Sequence, residues 1–328
     1  MTILVTGGAG YIGSHMVLEL LDAGESVVVL DNLSTGFAWA VDPRATLVVG
    51  DMGDQRLVER VMKLHAVEAV IHFAARIVVP DSVSDPLGYY LANTVKTRAV
   101  MAAAVACGVR HFIFSSTAAV YGTPEVMPVK EDAPARPESP YGTSKLVTEW
   151  MLRDAAAAHD LSYVVLRYFN VAGADPKGRT GQSTPNATHL IKVAVQTAIG
   201  LRQKMDVFGT DYPTPDGTCL RDYIHVTDLV RAHLSALAHL RGGGESMVAN
   251  CGYGHGYSVK EVIDTVRAVT KVNFRADYAP RRPGDAAAVV ADATRARTRL
   301  GWTPEHDDLT EIVEAAYAWE RRLANRRG

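Results

Sequence analysis

The sequence is poor in the features that mark several specialised classes of protein. Its 328 residues include only three cysteines, Cys107, Cys219 and Cys251, which form neither a CxxC pair nor a disulfide ladder. The 11 histidines show no HExxH pattern and no Cys/His ligand spacing, so we expect no metal site. No uncharged apolar run reaches the roughly 20 residues of a membrane span, and no export signal precedes the first strand-like segment. We therefore expect reduced thiols, no membrane partner and a soluble, cytoplasmic protein.

Strong net charge of either sign is also lacking. The 34 basic and 36 acidic residues give a formal net charge of −2, which provides no global positive field to hold nucleic acid. Hydrophobic residues make up 48% of the chain and charged residues 21%, as in ordinary globular proteins, and the length predicts about two domains. Any anionic ligand must therefore be bound by local positive charges.

Short apolar runs alternate with longer segments of helical periodicity through the first half of the chain. The runs are too short and too uniformly apolar for surface helices, so we interpret them as buried parallel strands. These predicted strands cover residues 3–5, 26–30, 46–49, 69–73, 111–115 and 162–167. The predicted helices cover residues 15–23, 55–63, 86–107 and 141–159, with Gly24 and Gly108 as C-caps of the first and third.

A glycine-rich segment connects the first predicted strand to the first helix. Gly7, Gly10 and Gly13 leave backbone amides and the positive end of the helix dipole free to face a dinucleotide pyrophosphate. Asp31 ends the second strand, where its carboxylate can accept hydrogen bonds from both adenosine ribose hydroxyls and would repel a 2′-phosphate. No arginine directly follows Asp31, so the sequence favours NAD over NADP. A tight turn without a ligand is the alternative for the glycines alone.

Two further segments lie at the expected carboxyl edge of the sheet, where ligands of parallel sheets bind. Asp51 and Met52 follow the third strand, where they could bracket an adenine ring. Phe73, Ala74 and Ala75 end the fourth strand, and small side chains there admit a cofactor. Plain packing is an equally good explanation of the two alanines.

The composition and the length of the predicted elements change after about Asn170. Polar, turn-rich loops at residues 173–179 and 211–217 separate shorter elements, and Ser258 with Glu261 has the pattern of a helix capping box. We predict an α/β fold with a doubly wound, parallel, Rossmann-type sheet and a smaller C-terminal α/β substrate domain. Residues 1–170 would form the NAD-binding domain, to which some later segments return, and residues 171–328 the second domain.

Tyr141 and Lys145 lie one helical turn apart at the start of a predicted helix, so their side chains project from one face. A nearby ammonium and a cationic nicotinamide both favour phenolate, which can bring a tyrosine pKa from about 10 toward neutrality and make it a general base. Lys145 can also hold the nicotinamide ribose. Thr117, just after the fifth strand, supplies a hydroxyl that can relay a proton. For the Tyr141 and Lys145 pair alone, a solvated helix face is the alternative.

Taken together, these segments resemble the extended short-chain dehydrogenase/reductases, and among them the UDP-galactose 4-epimerase family. The similar segments cover residues 7–15, 31–34, 141–145, 167–170 and 221–226. The resemblance implies reversible C4 epimerisation of UDP-glucose and UDP-galactose through a transient 4-keto sugar, with NAD kept bound and Tyr141, Lys145 and Thr117 as catalytic residues. It also implies a UDP-sugar as substrate and a homodimer built on helices near residues 86–107 and 141–159.

The resemblance further implies contacts that the residues alone do not give. Additional cofactor contacts are implied for Tyr11, Ile12, Asn32, Asn93, Ser115 and Tyr168. Substrate contacts are implied for Thr117, Tyr141, Asn170, Leu190, Phe208, Arg221, Arg282, Asp285 and Val289, with Phe208 near uracil and both arginines on the diphosphate. A guanidinium fork also suits phosphate oxygens on chemical grounds. Two positions depart from the family pattern, since Ile77 with Arg76 beside it replaces a lysine and Thr117 replaces a serine.

Other functions remain open from the sequence. An epimerase could instead act mainly on UDP-N-acetylhexosamines or UDP-pentoses. The resemblance places Val289 where family members with larger or smaller side chains differ in their sugar substrate, and valine is intermediate in size. A nucleotide-sugar dehydratase is less favoured, since Ala118 and Ala119 stand where dehydratases carry acids; a reductase would need to exchange its cofactor. A non-enzymatic NAD-binding sensor on the same fold is the least favoured.

Overall fold

The computed structural model describes residues 1–185, 187–282 and 285–327. The strands, in chain order, are β1 Thr2–Thr6, β2 Ser26–Asp31, β3 Thr46–Val49, β4 Val67–His72, β5 His111–Thr117, β6 Ser162–Tyr168, β7 Asn170–Ala172, β8 Met205–Phe208, β9 Leu220–Arg221, β10 Tyr223–His225, β11 Met247–Cys251, β12 Tyr257–Ser258, β13 Ala276–Ala279 and β14 Ala288–Val289.

The helices, in chain order, are α1 Tyr11–Asp22, α2 Gln55–Leu64, α3 Val79–Ser84, α4 Pro86–Tyr89, α5 Lys96–Ala106, α6 Pro140–Ala158, α7 Leu190–Ala198, α8 Val226–Arg241, α9 Val259–Thr270, α10 Thr294–Arg299 and α11 Leu309–Arg327. A π-helical segment, Tyr90–Val95, joins α4 to α5, and single 3-10 turns occupy Ala38–Ala40 and Ala118–Tyr121. Among the described residues, no helix is both long and apolar enough to cross a membrane.

Seven parallel strands form the central sheet in the order β11-β6-β5-β4-β1-β2-β3. The chain moves outward from β1 through β2 to β3 and then returns to place β4 on the other side of β1. This reversal is the topological switch point, beside which doubly wound sheets bind their ligands. The predicted doubly wound, parallel α/β fold is confirmed.

Both faces of the sheet are buried because successive side chains of each strand point to opposite faces. Ile3 and Val5 belong to the apolar cluster formed with α1 and α8, whereas Leu4 belongs to the cluster formed with α2 and α5. The apolar stretch at residues 100–105 contributes Val100 and Met101 to this second cluster. Core packing therefore accounts for the apolar character of that stretch.

The second half of the chain builds smaller sheets and also returns to the central one. The strand β11 adds the seventh strand beside β6, and α8 packs on the same sheet. Three smaller sheets pair β7 with β10, β8 with β13, and β9 with both β12 and β14. Helices α7, α9 and α11 pack on one another beside them. The domain boundary near residue 170 stays a prediction.

Several local predictions are confirmed. The Ser258 hydroxyl accepts from the Glu261 amide, and the Glu261 carboxylate accepts from the Ser258 amide, which completes the capping box of α9. Gly24 and Gly108 follow α1 and α5 with φ of +83° and +69°. These values lie in the region that glycine adopts without steric cost, as expected for C-caps.

Three element predictions are wrong. The strand at residues 46–49 is not buried: β3 is the edge strand of the sheet, and Val49 is 61% exposed. An apolar run does not reveal whether a strand has one neighbour or two. The first helix begins at Tyr11 rather than at residue 15, because Gly10 is its N-cap and the glycine turn leads directly into it. The segment 86–107 is not one α-helix, since π-helical hydrogen bonding over Tyr90–Val95 interrupts it.

Candidate active site

The glycine turn lies at the switch point of the sheet. Gly7 has φ of +72°, and its amide donates to the Leu30 carbonyl over 2.9 Å. A Cβ on Gly13 would lie 2.1 Å from the Gly7 carbonyl oxygen, so only glycine lets α1 begin this close to the turn. The first amides of a helix have no acceptor within it. Those of α1 are therefore available to an anion beside β1 and β4, as a dinucleotide pyrophosphate requires.

Asp31 joins the glycine turn to the end of β2. Its two carboxylate oxygens accept hydrogen bonds from the Ala9 amide over 3.0 Å and the Leu33 amide over 2.8 Å. Asp31 is buried, but each oxygen has a further lone pair. The carboxylate can thus still accept from ribose hydroxyls, and the structure suits the adenosine half of NAD. Asn32 beside it is turned to its own loop, where its side chain accepts from the Ser34 amide.

Asp51 is paired with Lys96, a residue that sequence reasoning missed. Burial raises the pKa of the Asp51 carboxyl, but hydrogen bonds from Lys96 and the Gly53 amide lower it by more. The net pKa is therefore below its usual value, and the carboxyl stays ionised. Met52 packs against the core cluster of α2 and α5. Both residues remain at the carboxyl edge, and their contact with adenine stays a prediction.

The segment after β4 packs against the glycine turn. A Cβ on Gly7 would lie 2.7 Å from the Ala74 amide nitrogen, so the two backbones are in contact. Phe73 packs against the His233 ring with a centroid distance of 4.8 Å. Ala75 is half-buried beside them. Small residues at 74 and 75 thus border the turn, as cofactor access at this edge requires.

Asn93 explains the interruption between α4 and α5. Its side chain accepts from the Arg76 amide over 2.8 Å and donates to the Arg76 carbonyl over 2.9 Å and to Ser144 on α6 over 3.1 Å. The π-helical turn directs this buried amide inward. In the protein alone, Asn93 therefore holds the segment after β4 against α6. Ile77, where the family pattern has lysine, is 52% exposed.

Tyr141 lies in the first turn of α6, which the Ser139 hydroxyl caps by accepting from the Gly142 amide over 3.2 Å. A Cβ on Gly142 would lie 2.5 Å from the Ala119 carbonyl oxygen, so glycine lets α6 approach the end of β5. This approach brings the Tyr141 phenol near the Thr117 side chain, whose interaction with the phenol lowers its pKa. The structure therefore joins two of the three predicted catalytic residues.

Lys145 completes the predicted catalytic set from the next turn of α6. It is buried, and its Nζ donates to the Ser115 carbonyl over 2.8 Å and lies 4.9 Å from the Phe114 ring centroid. The Ser115 hydroxyl is hydrogen-bonded to the Tyr168 hydroxyl on β6. The end of β5 thus places uncharged groups, the Ser115 carbonyl and the Phe114 ring, beside the ammonium.

Electrostatics in the protein alone differ from the sequence-based expectation. Burial raises the pKa of Tyr141 to about 12, although the neighbouring Thr117 side chain opposes this rise. Burial also lowers the pKa of Lys145 to about 7, although Glu149 opposes this fall. The pKa of Tyr141 is thus raised rather than brought toward neutrality, because desolvation is the largest influence on the phenol.

The predicted substrate residues outside the catalytic set fall into three groups. Arg221 on β9 pairs with Val289 on β14, and its guanidinium donates to the carbonyls of Leu220 and Ala286 and lies 3.7 Å from the Asp285 carboxylate. Val289 also packs against the cluster that contains Ala118, next to Thr117. This first group is therefore continuous with the catalytic residues.

The second group lies at the end of β8. The Arg282 guanidinium carbon is 3.7 Å from the Phe208 ring centroid, so the arginine covers the ring that was expected near uracil. The third group lies elsewhere: Asn170 begins β7 and Leu190 begins α7, and these two residues line one small cavity together. No sequence pattern indicated the contact between Arg282 and Phe208.

Comparison with known proteins places these features in a family. Residues 3–252 match the NAD dependent epimerase/dehydratase family. This chain belongs to that family. It is 57% identical over 321 residues to the UDP-glucose 4-epimerase of Azospirillum brasilense. The aligned region covers 98% of this chain and 92% of the relative.

Solved structures of family members agree with the fold. The UDP-glucose 4-epimerase of Brucella ovis in complex with NAD has a TM-score of 0.94 at 42% identity and covers 97% of each chain. The enzyme from Bifidobacterium longum in complex with NAD+ and UDP has a TM-score of 0.94 at 38% identity, with 99% of each chain covered. The predictions of an NAD-dependent enzyme of the epimerase family and of its fold are confirmed.

Proposed function

We propose that this protein interconverts UDP-glucose and UDP-galactose by inverting C4 of the sugar through a transient 4-keto sugar. The observation that carries the proposal is the placement of Tyr141, Thr117 and Lys145 at the carboxyl edge of the sheet, in a chain 57% identical to a UDP-glucose 4-epimerase. Bound NAD supplies the reversible acceptance of hydride from C4.

Tyr141 takes the proton of the sugar 4-hydroxyl and later returns it. The Thr117 hydroxyl near the phenol offers the proton a short path between the sugar hydroxyl and Tyr141. Burial keeps water from the phenol, and a positive charge brought near it favours the phenolate. Lys145 provides one such charge and, from its place beside the Ser115 carbonyl, can hold the nicotinamide ribose.

The nucleotide half of the substrate stays anchored while the sugar turns over between the two half-reactions. Arg221 and Arg282 bind the diphosphate, because planar guanidinium groups pair well with phosphate oxygens. Phe208 stacks on uracil once Arg282 moves from its ring to the phosphates. The remaining contacts to the UDP-sugar come from Asn170, Leu190, Asp285 and Val289.

The cofactor is held by the first half of the chain. We propose that residues 1–170, with α8 and β11, form the NAD-binding domain and that the rest of residues 171–328 binds the nucleotide sugar. The proposed cofactor contacts are Gly7, Gly10, Tyr11, Ile12, Gly13, Asp31, Asn32, Asp51, Met52, Phe73, Ala74, Ala75, Asn93, Ser115, Tyr141, Lys145 and Tyr168. Since the structure leaves all three cysteines unpaired, we also propose a cytoplasmic location.

A homodimer is proposed from an exposed apolar face on α3, α4 and the π-helical segment. Val83, Leu87, Leu91 and Val95 recur one helical turn apart and are all exposed, Leu87 by 79%. Trp150 on α6 is also exposed. Apolar patches of this kind mark interaction surfaces, and a second copy of the chain offers a matching one. The helix α4, the π-helical segment and α6 fall within residues 86–107 and 141–159, the segments that the resemblance implied, whereas α3 lies before them.

The proposal is tested by incubating the purified protein with UDP-galactose and no added NAD. UDP-glucose should accumulate until equilibrium, because the cofactor remains bound through turnover. Failure to form UDP-glucose even with added NAD would contradict the proposal. Including UDP-N-acetylglucosamine and a UDP-pentose in parallel decides the sugar preference, for which Val289 beside the catalytic cluster is the proposed determinant.

A further inference from the structure

Glu149 is a buried acid that the proposed mechanism does not use. It lies one turn after Lys145 on α6, and 5% of its side chain is exposed. Arg167 on β6 binds it with two parallel hydrogen bonds, from Nε to Oε1 over 3.0 Å and from Nη2 to Oε2 over 2.5 Å. Ser116 on β5 donates a further hydrogen bond to Oε1. One carboxylate thus joins a helix and two strands of the central sheet.

The position of Ser116 connects Glu149 to the catalytic groups. Ser116 stands between Ser115, whose carbonyl accepts from Lys145, and Thr117, whose side chain lies near the Tyr141 phenol and lowers its pKa. The hydrogen bond from Ser116 to Glu149 therefore fixes the end of β5 against α6. The contacts of Lys145 with Ser115 and of Tyr141 with Thr117 join the same strand to the same helix.

Glu149 also affects the protonation of Lys145, through its negative charge. The Lys145 ammonium faces Tyr141 and Glu149 on its own helix, the Phe114 ring on β5 and His72 on β4. Burial lowers the pKa of His72 to about 3, and Lys145 lowers it further, so His72 is neutral. On β6 the Arg167 cation is bound by Glu149. Of these groups only Glu149 opposes the effect of burial on the pKa of Lys145.

We propose that Glu149 is a positioning residue for the epimerase reaction: oriented by Arg167, it fastens Ser116 to α6 and keeps a negative charge beside the Lys145 ammonium. The inference rests on the proposed function. It gives Arg167, which belongs to one of the family-like segments, a role at the site without contact to the substrate. In the absence of Glu149, Lys145 loses its proton at lower pH, and with it the positive charge that favours the Tyr141 phenolate.

The test compares the pH profile of kcat for wild type and Glu149→Gln. The alkaline limb should move to lower pH by about one unit, the scale on which a neighbouring opposite charge shifts a titration. KM for UDP-galactose should change by less than about twofold, because no substrate group is lost. Glu320→Gln is the matched control, since Glu320 forms a buried ion pair with Lys192 of similar burial, away from Lys145. Its alkaline limb should stay in place.

A second variant separates positioning from folding. Glu149→Gln leaves Arg167 buried without its partner, which is destabilising, whereas replacing both residues of a buried pair with apolar ones is often neutral or stabilising. The double variant Glu149→Met with Arg167→Met should therefore fold and still show the shifted limb. An unshifted profile in a folded variant would overturn the inference while wild-type turnover upholds the proposed function. No turnover by wild type would overturn both.

Discussion

The Lys145 ammonium donates to the Ser115 carbonyl over 2.8 Å and so joins α6 to β5 at the point where the Tyr141 phenol meets the Thr117 side chain. The lysine is therefore fixed by a backbone oxygen of the strand that carries Thr117, the proposed proton relay. Helix and strand act together, because a shift of either one would break both contacts.

Replacing Tyr141 by phenylalanine removes the proton acceptor and leaves the ring in place. We expect kcat for UDP-galactose to fall by about 10²- to 10⁴-fold, the usual contribution of a positioned general base. The NAD content of the purified variant, measured by absorbance after denaturation, should match wild type. A variant with unchanged kcat would show that another group takes the proton.

Replacing Thr117 by valine removes the hydroxyl whose interaction with the Tyr141 phenol opposes the effect of burial on the pKa of Tyr141. The pKa of Tyr141, already raised to about 12 by burial, should rise further. Since the base acts as phenolate, the acidic limb of the kcat profile should move to higher pH. Thr117→Ser, which keeps the hydroxyl, should retain the wild-type limb. Identical limbs in the valine and serine variants would exclude this role of the hydroxyl.

Two glycines of the turn should respond differently to alanine. A Cβ on Gly13 would lie 2.1 Å from the Gly7 carbonyl oxygen, whereas one on Gly10 would meet its nearest atom at 3.3 Å. We expect Gly13→Ala to lower the melting temperature as well as the NAD content. Gly10→Ala should fold with little loss of stability but bind NAD weakly, because the added methyl group obstructs the pyrophosphate. Full NAD content in Gly10→Ala would contradict the proposed cofactor path.

Adjacent arginines provide a matched pair for the substrate site. Arg282 lies over Phe208, while Arg281 lies over Tyr212 and pairs with Asp211. Arg282→Ala should raise KM for UDP-galactose by about tenfold or more, since a charged hydrogen bond to phosphate contributes about 1.5–3 kcal/mol. Arg281→Ala should leave KM near that of wild type. Equal effects in steady-state assays would remove Arg282 from the proposed diphosphate site.

The apolar face on α4 and the π-helical segment should control assembly. We expect Leu87→Asp to turn the dimer into monomers in analytical ultracentrifugation, because it places a charge where two apolar faces meet. Val126→Asp, at a residue that is 73% exposed outside this face, should remain dimeric. Monomeric wild type would rule out the proposed interface.

Local patterns were sufficient to predict the fold class but not the environment of each element. The alternation of apolar runs and helical segments indicated the parallel sheet, and Ser258 with Glu261 indicated a helix start. The edge position of β3 depends on which strands become neighbours, information that its own sequence does not contain. The break over Tyr90–Val95 depends on the contacts of Asn93 with Arg76 and Ser144, which are distant in sequence.

The site was predictable where motifs are local and less so where distant segments meet. The spacing of Tyr141 and Lys145 on one helix placed both side chains at the site. The same spacing, continued by one turn, would have indicated Glu149 on that face as well. The pairing of Lys96 with Asp51 and the cover of Phe208 by Arg282 have no such signal, because each joins residues from separate segments. The pKa of Tyr141 depends on burial, which spacing does not reveal.

The most direct test of the epimerase mechanism uses UDP-galactose labelled with deuterium at C4, incubated with the purified protein. Mass spectrometry and NMR of the UDP-glucose formed should find the deuterium still at C4, since the hydride leaves and returns to one carbon within a closed site. Loss of the label to solvent, or its appearance in free NADH, would contradict the account.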